Sequence, residues 1–164
     1  MLKPSDSVAG ALGRVASLHL HPAKGGGPLT KVEVIHAIAG QGIKEDPRYF
    51  NRGSRRQVTL IECEQIAEHA TALGVAGFTA GAVRSNIETT GINLIALIGQ
   101  RVEVGEAVLD FYEPRTPCQQ MDTLCQGLRA LMKDSRQGVL AQVVRSGVIR
   151  VGDAIRLAKP DAPA

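Results

Sequence analysis

Apolar and polar residues alternate over Val15-Ala16-Ser17-Leu18-His19-Leu20 and again over Val32-Glu33-Val34-Ile35-His36-Ala37-Ile38. That is the spacing of strands burying one face. Gly25-Gly26-Gly27-Pro28 breaks the chain between them. Arg55-Arg56-Gln57-Val58-Thr59-Leu60-Ile61 predicts a third strand. The period then lengthens: Ile66, Ala67, Ala70 and Leu73 fall on one face of a helix over 62–73, and Gly74 suits its end. Arg101 to Gly105 and Ala107 to Tyr112 predict a hairpin around a glycine turn. Val139 to Val144 and Val148 to Val151 predict two more strands joined at Ser146-Gly147, and Gly152-Asp153 turns the chain into Ala154 to Leu157. The aperiodic stretch from Gly40 to Ser54, polar and rich in arginine, has the length of a functional loop. Gly77 to Asn93 also looks like loop, with an apolar strand around Val83. Many short strands and two helices predict a mostly β (α+β) domain, a β-barrel with helices packed on it.

The second helix carries the candidate chemistry. Thr116-Pro117-Cys118-Gln119 has the form of a helix start, with Thr116 as N-cap, Pro117 in the first position and Gln119 closing a capping box. Met121, Leu124, Cys125, Leu128, Leu131 and Met132 then share one face. Cys118 is expected in the first turn, where the helix dipole and Arg115 favour a reactive thiolate or a soft metal ligand. A buried, inert cysteine at an ordinary helix entry is the competing reading. Cys63 lies between Glu62 and Glu64, which raise a thiol pKa, and Cys125 falls in an apolar run suggesting core.

Composition narrows the classes. The 164 residues suit one domain, with 1–11 and 158–164 expected as flexible ends around 12–157. Hydrophobic residues make up 44% with no Trp, so the core is aliphatic. A net charge of +3, without aromatic interleaving or a zinc-finger pattern, argues against nucleic acid. The clustered Arg48, Arg52, Arg55 and Arg56 suit an anionic small molecule at least as well. No signal peptide or membrane-length apolar run is evident, and three unpaired cysteines fit a reducing compartment, so a cytoplasmic address is expected. His19, His21, His36 and His69 show no metal-ligand spacing, and default to packed or solvated roles. Asn86 is expected to tie down its loop or orient a ligand, and Asp46 to position an arginine or a water.

Four stretches together resemble the MOSC domain, a family named for the C-terminal domain of molybdenum-cofactor sulfurase. Gly42-Ile43-Lys44-Glu45-Asp46 precedes Arg56-Gln57-Val58-Thr59-Leu60, and Arg84-Ser85-Asn86-Ile87-Glu88-Thr89-Thr90-Gly91-Ile92-Asn93-Leu94 follows. Pro117-Cys118 aligns with the family's cysteine, and Gly147-Val148-Ile149-Arg150-Val151-Gly152-Asp153 with its closing turn. Pro47-Arg48 departs from the pattern of related standalone members of bacterial type.

The resemblance implies a barrel around a pocket, with Cys118 at the rim carrying sulfur or binding the molybdenum of a pterin cofactor (molybdopterin). It also implies Arg56 and Arg84 as ligands of the cofactor phosphate, with Arg115 beside the thiol and Asn86 and Asp46 in the surround. A sulfur donor or acceptor protein is then an expected partner. Reduction of N-hydroxylated compounds is allowed, with electrons from a redox partner, since three scattered cysteines hold no iron–sulfur cluster. The pyridoxal phosphate of the full sulfurase belongs to a domain not found in this sequence. A non-catalytic anion- or protein-binding barrel with a structural cysteine is the alternative.

Overall fold

The structure is a computed structural model that describes residues 10–159. The expected flexible ends fall mainly outside them, although Ala11 already opens the first strand and the Ala158 N–H still bonds the Arg101 carbonyl.

The chain runs through β1 (Ala11–Leu20), β2 (Thr30–Val32), β3 (Val34–Ile38), β4 (Gly42–Ile43), β5 (Val58–Glu62), α1 (Cys63–Leu73) and β6 (Ile87–Thr90). A 3-10 turn (Ile95–Leu97), β7 (Arg101–Val104) and β8 (Ala107–Pro114) follow. Then come α2 (Gln120–Leu124), α3 (Leu128–Leu131), β9 (Val139–Arg145), β10 (Gly147–Arg150) and β11 (Ala154–Leu157).

Strand order β11-β7-β8-β9-β5-β6-β1, with β1 also pairing β11, closes a seven-stranded barrel, and β2 extends β1 at one end. Among the described residues only β5 and β6 pair in parallel, the crossover between them containing α1. β10, β3 and β4 form a small second sheet. Val15, Leu18, Leu60, Ile87, Val102, Leu109, Phe111 and Val143 fill the barrel, the alternation of each strand supplying one apolar face. A separate cluster of Ile61, Ile66, Val83, Met121, Leu128 and Met132 glues the three helices to the outside of β5.

Local signals held where they were local. α1 spans Cys63–Leu73 and ends at Gly74 with φ 72°, its N–H closing on Ala70 and Thr71. Two expectations fail. The strand expected around Val83 is a buried turn, and the segment that pairs is Ile87–Thr90. The single helix expected from Cys118 to Met132 is two short helices. Asp122 Oδ1 accepts the N–H groups of Gly127 (3.2 Å) and Arg129 (3.0 Å). With Gly127 at φ 95°, this stops the first helix and starts the second while keeping Met121 and Leu128 in one apolar cluster.

Candidate functional site

The site begins with a buried polar knot at the end of β1. Asn86 is 1% exposed, and its Oδ1 accepts from the Thr59 N–H (3.1 Å) and hydroxyl (3.2 Å). Its Nδ2 donates to the His19 carbonyl (3.0 Å) and to Asp46 Oδ2 (3.0 Å). Asn86 therefore ties β1, β5 and the Asp46 loop together. Asp46 is equally buried, and among the described residues no arginine side chain pairs with it. Its Oδ2 accepts from the His21 backbone N–H (3.1 Å) and from Nδ1–H of the His21 ring (2.8 Å). Its Oδ1 accepts the N–H groups of Arg48 (3.0 Å) and Tyr49 (3.2 Å), an Asx turn that lifts these two residues out of the loop.

Burial alone raises the Asp46 carboxyl, but the bonds from His21 and Asn86 outweigh it and hold the group below its usual value. Burial, with Arg115 and Arg84 nearby, pushes His21 down despite the Asp46 bond, so the ring is neutral at pH 7.

The knot supports a group of arginines. The Tyr49 ring packs edge-on to His21, with centroids 4.8 Å apart, and the Arg56 guanidinium lies over Tyr49 at 5.1 Å. Arg56 Nε is buried without a hydrogen-bond partner. Arg115 is 6% exposed, its side chain donating to Ser85 Oγ at 2.9 Å and its N–H bonding the Gly138 carbonyl. Gly138 has φ 73° and comes so close to β5 that an added Cβ would lie 1.8 Å from the Leu60 carbonyl oxygen. Only glycine fits there, and it fixes the backbone of Arg115 against the barrel wall. Burial, then repulsion from Arg56, pushes the Arg115 guanidinium down to about 10, still charged at neutral pH. Arg84, with φ 65°, is also buried and is pushed down by burial and then by Arg48. Among the described residues no carboxylate pairs with Arg48, Arg56, Arg84 or Arg115. Cys118 and Tyr49 are the polar groups that face Arg84 and Arg115.

Cys118 is exposed and sits at the edge of this field. The expected capping box does not form. Gln119 is the N-cap and makes no side-chain cap bond, so Cys118 precedes α2 instead of lying in its first turn. Thr116, preceding a proline, continues the irregular run that leaves β8. Positive charge reaches the thiol from Arg84 and Arg115, on two separate segments, not from a helix end. The other two thiols differ. Burial, then Glu88 and Glu64, push Cys63 up to about 11, and Cys125 packs half-buried against the helical cluster.

The structure thus brings Cys118, Arg56, Arg84 and Arg115 into one electrostatic neighbourhood, with Asn86 and Asp46 beneath as framework. Sequence reasoning missed Tyr49 and His21 as parts of the site. The only signal for them was their place in the Arg-rich loop and beside the Gly-rich break. His19 is fully buried, with Nδ1 at 2.7 Å from the Ser85 carbonyl. Among the described residues no group of three or more His, Cys, Asp or Glu is arranged to hold a metal ion.

Comparison with known proteins bears on this arrangement. The MOSC domain family matches residues 47–156, about two thirds of the chain. The chain belongs to the MOSC family. Among solved structures it is similar to the YuaD protein of Bacillus subtilis, at 21% identity and TM-score 0.73, covering 87% of this chain and 93% of that one. It is also similar to YiiM of Geobacillus stearothermophilus, at 19% identity and TM-score 0.72, covering 93% and 79%. YiiM of Escherichia coli shares 18% identity at TM-score 0.70, covering 93% and 72%. These likenesses establish the MOSC fold. Comparison with curated proteins found no match. No helix among the described residues is long and apolar enough to cross a membrane.

Proposed function

We propose that this MOSC protein binds molybdenum cofactor at the arginine cluster, with Cys118 as the soft ligand at its rim. One observation carries the reading: the buried Arg84 and Arg115, without a carboxylate among the described residues, and the half-buried Arg56 with a buried, unpartnered Nε, gathered beside an exposed thiol. Isolated buried cations are unfavourable unless an anion completes them, and guanidinium matches the oxygens of a phosphate. Arg56 and Arg115 would hold the phosphate of the pterin, with Arg84 at its flank. A lone thiol is a poor metal site by itself, but it suits a soft metal that arrives already held by a dithiolene. When bound, the cofactor would supply two-electron redox chemistry, consistent with reduction of N-hydroxylated compounds given electrons from a separate protein. The chain's own residues orient the anion, hold the field and present the sulfur.

A second reading rests on the exposure of Cys118. As a sulfur carrier, its thiolate attacks the terminal sulfur of a donor persulfide. The donor leaves as a thiolate and Cys118 becomes the persulfide, with no external oxidant needed. A purely structural cysteine is disfavoured, because Cys118 is exposed.

The test is molybdenum and pterin content after expression in cofactor-producing cells, comparing wild type with Cys118→Ala and Arg115→Met. Metal and pterin in wild type, molybdenum lost in Cys118→Ala and both lost in Arg115→Met, support cofactor binding. Neither bound in wild type, with a persulfide on Cys118 by mass spectrometry, supports the carrier.

A further inference from the structure

The Gly-rich break found no role in the barrel, and its place in the structure suggests one. Pro22 to Pro28 crosses between two fixed points. His21 is pinned by Asp46, and Leu29 is buried with its N–H on the Gly81 carbonyl at 3.0 Å. Between them the strap is exposed, and added Cβ atoms at Gly25 or Gly27 would touch nothing within 4 Å. Among the described residues its hydrogen bonds all end on two arginines. Arg48 Nη2 donates to the Gly25 carbonyl at 2.6 Å, Arg84 Nη2 to the same oxygen at 3.4 Å, and Arg84 Nη1 to the Gly27 carbonyl.

Two cations therefore converge on one neutral oxygen. The terminal edge of the Arg84 guanidinium, the edge that grips an oxyanion in bidentate fashion, is turned toward the strap. Immediately beside it lies a cleft of about 320 Å³ between Gly26, Gly27 and Pro28 on one side and Gln120, Thr123 and Leu124 on the other, with Arg84 and Ala82 also in its lining. Most of its wall is apolar, and Leu124 is a large hydrophobic side chain left exposed there.

We infer that Arg48 and Arg84 form a second anion subsite for an organic oxyanion, a phosphate monoester or carboxylate whose apolar body fills this cleft. The Gly25 and Gly27 carbonyls stand in for that anion and are displaced when it binds. A charged acceptor outcompetes a neutral carbonyl for the same donors, and the strap has little other packing to lose on moving. Arg84 is shared with the flank of the proposed cofactor site, while Arg48 and the strap carbonyls belong to this subsite alone, so comparing Arg48→Gln with Arg56→Gln tells the two sites apart.

Strap release can be read without any assay of activity. Lys24 is exposed in the strap, so trypsin cleavage after it, followed by mass spectrometry, reports release. Phenyl phosphate should bind at least about tenfold tighter than inorganic phosphate, the apolar ring adding more than one decade. It should speed the Lys24 cut several-fold. Arg84→Lys keeps the charge but loses the fork, so it should cut faster without ligand. Arg48→Gln, at a half-exposed position less exposed to folding failure, should weaken phenyl phosphate about tenfold. An unchanged Lys24 cut at saturating phenyl phosphate overturns the proposal. So does equal affinity for phenyl and inorganic phosphate, or a strap response lost in Arg56→Gln and kept in Arg48→Gln, which would move the anion to the thiol side.

Discussion

Arginines are wired in opposite ways in two parts of this barrel. On β9, β10 and β11, Arg145 and Arg156 each approach Glu103 at 3.9 Å, and Arg150 Nη1 meets Glu106 at 3.1 Å, all with substantial exposure. Around Cys118, Arg48, Arg56, Arg84 and Arg115 share no carboxylate, and two of them are nearly buried. Solvated pairs of the first kind add little to stability, because water and salt screen them. Buried cations of the second kind cost stability until something anionic arrives. The first set serves the surface, and the second holds charge in readiness for a ligand.

The largest expected effect comes from removing the framework under the second set. Asn86→Ala strands the Thr59 N–H and frees Asp46, and should lower the unfolding free energy by about 3 kcal/mol in urea titrations. Next is acid. His21 sits below its ordinary 6.5, so the unfolded chain takes up a proton first and stability starts to fall as pH drops through about 6.5. Asp46 sits below its ordinary 3.8 for the opposite charge type, and the stability it adds is lost as pH falls below that value toward its folded one. The slope should reach at most about 1.4 kcal/mol per pH unit for each group, and His21→Gln should remove the upper step.

The two thiols offer a kinetic version of the comparison. At pH 7.5 iodoacetamide should label exposed Cys118 more than about tenfold faster than Cys63, whose thiol is pushed up to about 11. Comparable rates would mean that the surrounds of the two thiols do not differ in effect. A smaller change is expected for Arg115→Met. Despite the lost Ser85 bond, the fold should hold steady or gain about 1 kcal/mol, while inorganic phosphate ceases to raise Tm. The smallest belongs to Arg150→Met, which should leave the urea midpoint unmoved within error and the phosphate response intact.

Much of this was legible in the sequence, for reasons that differ by element. The β7–β8 hairpin, the end of α1 at Gly74 and the β9–β10 turn are set by residues within a few positions of each other. β6 was hidden because its partners β1 and β5 lie far away in the chain and its Ile-Glu-Thr-Thr has little alternation of its own. The break between α2 and α3 was hidden because the apolar face continues across it, while the stop is made by the Asp122 side chain. Of the site, Cys118 and Arg115 were singled out from their local sequence, and Arg56 and Arg84 by resemblance to a family. Tyr49 and His21 were not, because only the folded chain brings one ring against the other. The helix-start reading of Thr116 to Gln119 failed, because Gln119 is the N-cap and Cys118 precedes the helix.

The pairing of β1 with β11 sets an order of events during synthesis. Residues 11–14 find their partners only at 154–156, nearly the whole described chain later. Until the ribosome releases that last strand, β1 and β7 each keep a raw edge, and the cylinder remains an open sheet. The arginine-bearing loops can gather before then, but the wall behind them is sealed last. A nascent chain stalled before residue 154 should therefore be prone to pair its open edges with another copy.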